Sequence, residues 1–106
     1  MSRQSAIDRA AACFDDGSFE RDLSRRVLRR TESQNEGQGE ELTLYLEQEM
    51  LPAFAAMGFA CTILRDPAAD LPFLIAERLE GDTLPTVLGY GHGDVVRGQD
   101  EGWAEG

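Results

Sequence analysis

Apolar positions in the first thirty residues recur at helical spacing. Ile7, Ala10, Ala11 and Phe14 fall three and four apart, which predicts a helix over 5–14. Asp15-Asp16-Gly17 interrupts the pattern, and Ser18 is placed to cap a second helix. That helix carries Phe19, Leu23, Val27 and Leu28 on one stripe and turns Arg21, Arg25 and Arg29 outward, the last of these suiting the negative pole of the helix dipole. The polar stretch 31–39 (TESQNEGQG) reads as a connecting loop. The strongest periodicity follows over 40–57. Leu42, Tyr45, Leu46, Met50, Phe54 and Met57 line one side as a core stripe, and Gly58 stands ready to end the helix. Pro52 lies inside this pattern without an N–H, so a kink or restart is expected there.

Beyond residue 58 the period changes. Phe59–Arg65 (FACTILR) and Phe73–Leu79 (FLIAERL) are rich in β-formers, and Asp66-Pro67 with Asp70-Leu71-Pro72 supplies the turn between them. Neighbouring strands with a short connection most simply pair antiparallel. Thr86–Gly91 (TVLGYG) is a nearly continuous apolar run, the signature of a third strand buried on both faces. The expected class is therefore α/β: N-terminal helices plus about three strands of a mixed sheet. The organisation read from the letters is helical over 1–30, loop over 31–39, helix over 40–57, strands over 59–91, then motif and loop over 92–106.

Composition narrows the partners. The chain has 106 residues, 42% of them hydrophobic, which suits one globular domain and not a disordered chain. Its net charge is -10, and its pI near 4.4 argues against nucleic acid or an anionic membrane as the main partner. All ten cations are Arg; residues 1–30 hold seven of them against five acids, net +2, leaving -12 on the remainder. Cys13 and Cys61 lack metal spacing and sit in apolar stretches, so both read as buried structural thiols. No signal peptide and no membrane-length apolar run is present, and a reducing, cytoplasmic compartment is expected.

The candidate chemistry lies in Gly91-His92-Gly93-Asp94-Val95-Val96, directly after the third strand. In extended chain, positions i and i+2 share a side, so His92 and Asp94 can face one pocket at a strand's C-terminal end, where open α/β sheets place ligands. A neutral imidazole is a good zinc ligand, and a carboxylate behind it fixes its tautomer. The competing interpretation is a loop histidine in a hydrogen bond with Asp94 merely solvated. Other chemistries fail on the letters. Gly89-Tyr90-Gly91 is followed by Asp94 where a dinucleotide fingerprint needs glycine. Neither the serines nor Cys13 lie in a nucleophile elbow, and Cys61 falls within a strand. Asp100, Glu101 and Glu105 lack the spacing of a calcium loop.

The apolar strand, the GHGDVV segment and a Trp fourteen residues after the first Gly of GYGHGD together resemble the start of the zinc-dependent aminoacylase/carboxypeptidase family. That family includes acetylornithine deacetylase, succinyl-diaminopimelate desuccinylase and carboxypeptidase G. Upstream, residues 27–34 (VLRRTESQ) resemble the family's helix followed by T-x-S, and the helix over 40–57 with Gly58-Phe59 resembles its helix, G-F, strand step. The likeness runs over about residues 19–103; only the H-x-D segment is specific.

The resemblance implies an N-terminal part of a catalytic domain that hydrolyses the amide bond of N-acyl amino acids or small peptides. His92 would ligate one zinc of a two-zinc site, with cobalt as an alternative metal, and Asp94 would hold the imidazole from behind. The remaining ligands and the water-activating Glu belong to downstream motifs without a counterpart here, so the chain alone is expected to be inactive. Homodimerisation, too, would belong to the complete protein. With later strands missing, Val87 and Leu88 should be under-covered and the isolated chain prone to aggregation. Two other readings stand beside this one: a small non-catalytic α/β interaction module that keeps the same framework, and an unrelated acidic binding domain in which HGD is incidental.

Overall fold

The computed structural model describes residues 2–104. Helix α1 (Arg3–Asp15) opens on a capping box: the Ser2 hydroxyl accepts from the Ser5 amide and the Ser5 hydroxyl accepts from the Ser2 amide, satisfying donors the first turn would leave bare. Helix α2 (Ser18–Val27) starts differently from expectation. Ser18 is its first residue and not its cap; the Asp16 carboxylate, two residues upstream, accepts the Ser18 amide at 2.8 Å. This contact holds the Asp16 carboxyl below its usual range, first through the Ser18 hydrogen bonds and then through the Arg21 charge. Helices α1 and α2 pack on each other with Phe14 against Phe19, their ring centroids 6.3 Å apart.

The long helix predicted over 40–57 is one continuous rod in three parts: α3 (Gly39–Leu44), a π turn (Tyr45–Met50) and α4 (Leu51–Ala56). The widened turn sits just before Pro52, and the Leu51 amide reaches back five residues to the Leu46 carbonyl. Pro52 cannot donate to the residue four before it, so the irregularity expected there takes the form of a π bulge instead of a kink. At the C-terminus Gly58 adopts φ 85°, a conformation that favours glycine. The Phe59 amide bonds the Phe54 carbonyl and the Gly58 amide bonds that of Ala55, the paired pattern of a Schellman end. The Phe54 and Phe59 rings meet edge-on at 5.4 Å and close the motif.

Strands β1 (Ala60–Asp66) and β2 (Leu71–Glu77) pair antiparallel, with Ile63 opposite Leu74 and Leu64 opposite Phe73. Asp66 organises the turn: its carboxylate accepts the Ala68 amide at 2.8 Å and its carbonyl accepts the Asp70 amide at 2.7 Å. Period-two alternation then decides the faces. Cys61, Ile63, Leu74 and Ala76 turn half-buried toward the long helix, while Leu64, Leu71, Phe73 and Ile75 point away from it and are exposed. Arg65 donates to the Thr43 hydroxyl at 2.6 Å and Arg78 to the Met57 carbonyl at 2.7 Å, pinning the sheet to the helix at both ends.

The general α/β class holds, as helices followed by a two-stranded antiparallel sheet. The third strand does not form. Residues 86–91 are extended but unpaired, with Val87 at 90%, Leu88 at 94% and Tyr90 at 91% exposure. A strand exists only as part of a ladder, and residues 86–91 join neither of the outer edges that β1 and β2 leave open. Leaving Val87 and Leu88 in water forgoes about 1.5–3 kcal/mol apiece. The thiols also differ from expectation: Cys13 is exposed, because the apolar face of α1 has little to cover it, and Cys61 on β1 is half-buried. The stripe of α2 is likewise exposed at Phe19, Leu23, Val27 and Leu28.

Leu42 is the one buried hydrophobic side chain among the described residues. The Cα radius of gyration, 16.8 Å, exceeds the roughly 13 Å of a compact chain this long. A buried carboxylate compensates in part. Glu49, 4% exposed, accepts from Arg25 Nε at 2.6 Å and lies 3.7 Å from Arg29 Nε, joining the α1–α2 pair to the long helix. Glu49, followed by Asp22, holds the Arg25 guanidinium firmly protonated.

Candidate metal-ligand site at His92

The loop after α2 and the segment after residue 91 run side by side. Glu32 and Val95 form an isolated parallel bridge, and the Val95 amide donates to the Thr31 carbonyl at 2.9 Å. Thr31, only 3% exposed, sends its hydroxyl to the Gly93 carbonyl at 2.7 Å. Further along, the Glu32 carboxylate accepts the Gly98 amide at 2.9 Å, and Arg97 donates to the Asn35 side chain and the Gln34 carbonyl, each at 3.1 Å. The Trp103 indole N–H closes the tail on the Gly98 carbonyl at 2.8 Å. The polar loop is thus a clasp around residues 93–98.

Gly93 lies against the Tyr45 ring at the head of the π turn. A Cβ there would run into Cε1 of the ring and come within 2.8 Å of Cδ1 and 3.0 Å of Cζ, so no larger residue fits without displacing the tyrosine. The long helix thereby fixes the depth of the clasp, and the clasp fixes the residues on either side of Gly93.

His92 and Asp94 are brought together. His92 Nδ1 lies 3.1 Å from both the Asp94 carbonyl and its Oδ1. A carbonyl can only accept, so the ring proton is assigned to Nδ1, and no hydrogen bond among the described residues engages Nε2. The His92 side chain is 71% exposed. The other Asp94 oxygen, Oδ2, accepts the Ser33 hydroxyl at 2.9 Å. The Ser33 hydroxyl holds the Asp94 carboxyl below its usual range, against desolvation by burial and with further help from His92. Ser33 gives its proton to a carboxylate and not to the imidazole, so the three residues do not make a nucleophile with a base behind it.

What this arrangement offers a metal is one neutral imidazole nitrogen with its orienting carboxylate. A catalytic zinc takes about three protein ligands. No group of three or more His, Cys, Asp or Glu suited to a metal occurs among the described residues. The residues present fit one corner of a zinc site and do not make a zinc site by themselves. Of the acidic residues set aside as a calcium loop, Asp100 and Glu101 lie in a single 3₁₀ turn (Asp100–Gly102), and Glu105 lies outside the described residues.

Sequence reasoning named His92 and Asp94 but not the partners that hold them. Thr31 and Ser33 carried a signal in their i, i+2 spacing, which matches the alternation of an extended segment lying beside Gly93 and Val95. Gly93 carried none, since its requirement comes from Tyr45, far away in sequence. Comparison with family models, with curated proteins and with solved structures finds no match to this chain. No helix among the described residues is long and apolar enough to cross a membrane.

Proposed function

We propose that this chain is the N-terminal part of a zinc-dependent hydrolase acting on the amide bond of N-acyl amino acids or small peptides, inactive as the 106-residue unit. The observation that carries this reading is the state of His92: Nδ1 turned onto Asp94, Nε2 unengaged, the ring open to solvent. A histidine whose proton is held from behind presents the nitrogen that a metal needs. The resemblance of the GHGDVV segment and its flanks to the aminoacylase/carboxypeptidase family supplies the reaction class. Zinc, or cobalt in its place, would polarise the scissile carbonyl and lower the pKa of a bound water. Within this chain the work is limited to offering Nε2 and keeping the ring in place.

Two further features support an incomplete unit. The run at 86–91 is apolar and uncovered, and the outer face of β1–β2 presents Leu64, Leu71, Phe73 and Ile75 to solvent. Surfaces of that kind belong against more protein. The substrate and any dimerisation would be met by parts of the complete protein other than these residues. A cytoplasmic setting follows from the same reading, since both cysteines are free thiols.

The exposed apolar sheet face equally favours a second reading, a non-catalytic interaction module on the same framework. Expressing the gene's complete reading frame separates the two. The hydrolase reading expects bound zinc and cleavage of N-acetyl amino acids, both lost in His92→Ala. A reading frame that stops at Gly106, with a product that neither binds zinc nor cleaves such substrates, would establish the module instead.

A further inference from the structure

We infer that Ser33 is a positioning residue for His92, acting through Asp94, and that the Thr31–Ser33 segment exists in this fold to set the tautomer and aim of that imidazole. The inference deepens the proposed function and rests on it only for what the aimed nitrogen is used for. The two carboxylate oxygens of Asp94 are engaged separately. Oδ2 takes the Ser33 hydroxyl at 2.9 Å, and Oδ1 faces His92 Nδ1 at 3.1 Å. An Asp side chain half-exposed to water would otherwise rotate about its own bonds and share Nδ1 with solvent. The Ser33 hydroxyl removes that freedom, because holding one oxygen fixes the plane of the carboxylate and hence the place of the other. Ser33 is in turn fixed by its neighbour. The buried Thr31 is bonded to the Gly93 carbonyl through its hydroxyl and to the Val95 amide through its carbonyl, so the two segments cannot slide past one another without breaking both bonds. The chain of contact runs from Thr31 through Ser33 and Asp94 to His92, joining segments far apart in sequence in a single clasp. Its chemical effect is to keep the proton on Nδ1 and the lone pair on Nε2.

The sequence contains a single histidine, so its ring nitrogens can be followed without assignment. The test is a long-range proton–nitrogen correlation spectrum of the whole ¹⁵N-labelled chain, recorded at a pH high enough that the ring-nitrogen shifts no longer change with pH. The wild-type chain is expected to show mainly the Nδ1–H tautomer. Ser33→Ala should lower the ratio of Nδ1–H to Nε2–H by roughly two- to tenfold, the worth of one hydrogen bond. Ser33→Thr, which keeps the hydroxyl, should restore it, while the amide shifts of β1 and β2 stay unchanged in both. A merely structural role for Ser33 would move those amide shifts and leave the tautomer ratio alone. The inference is overturned if Ser33→Ala keeps the wild-type ratio, or if Ser33→Thr departs as far as Ser33→Ala. Should Ser33→Ala fail to fold, the wild-type spectrum still decides: a dominant Nε2–H form overturns the proposal. No metal enters the measurement. An Nδ1–H wild type together with a complete protein that lacks zinc-dependent hydrolysis would therefore refute the hydrolase reading and support the brace.

Discussion

Replacing Gly93 by Ala probes the coupling between the long helix and the clasp. The added methyl runs into Cε1 of the Tyr45 ring and meets Cδ1 and Cζ at 2.8 and 3.0 Å, well inside ordinary contact, so either the ring or the 93–95 segment must move. Overpacking of this kind costs about 1–3 kcal/mol. Gly93 does not have a positive φ, so backbone strain adds nothing and the whole effect should pass through the tyrosine. The segment's attachment is reported by the Val95 amide, which donates to the Thr31 carbonyl at 2.9 Å. If the clasp opens locally, that cost appears as a loss of about 5- to 150-fold in the amide's hydrogen-exchange protection. Tyr45→Ala removes the ring and supplies the control. In that background Gly93→Ala should change protection by less than about twofold, because the two positions are directly coupled. Equal losses with and without the ring, or no loss in the native background, would show that Gly93 is not placed by Tyr45.

Other outcomes follow from the same contacts. Glu49→Ala leaves Arg25 and Arg29 without the carboxylate that binds α2 to the long helix; as both guanidiniums are partly in water, about 1–2 kcal/mol should be lost and not the ~3–5 of a fully buried pair. The loss should show as faster tryptic cleavage at Arg25 and Arg29, whereas an unchanged digestion pattern would mean the ion pairs do not hold α2. The lowered Asp16 pKa makes the start of α2 pH-sensitive: its stabilisation is complete above the ordinary carboxylate pKa of about 4 and is lost as pH falls through the still lower native value. Asp16→Asn should abolish that part of the acid-induced loss of helical circular dichroism, and an identical acid profile in the variant would refute the link.

Much of the local structure was legible because it depends on near neighbours. The stripes of α1 and of the long helix, the glycine stop at residue 58 and the Asp66 turn between β1 and β2 follow from period, capping and turn chemistry acting over a few residues. The run at 86–91 misled for the opposite reason. Its composition suits a buried strand, but a strand exists only where it pairs with an edge, and this run takes neither open edge of the β1–β2 sheet. Glu49 was overlooked although it interrupts the apolar stripe of Leu42, Tyr45 and Leu46 at helical spacing; a carboxylate at such a position calls for a cation, and two arginines from α2 and its C-terminal extension answer it. At the site, His92 and Asp94 were readable as a pair two residues apart. Ser33 was not readable as their brace, because its contact with Asp94 crosses sixty-one positions and depends on the Glu32–Val95 bridge.

The most direct measurement is a zinc titration of the 106-residue chain, followed by zinc content after dialysis against a chelator and by the nitrogen shifts of the one histidine. A single imidazole in a partial donor set predicts that added zinc perturbs Nε2, leaves Nδ1 on Asp94, and washes away to far less than one ion per chain. Zinc retained at one or more ions per chain, or zinc binding that leaves the His92 ring nitrogens untouched, would contradict the reading of His92 as one corner of an unfinished metal site.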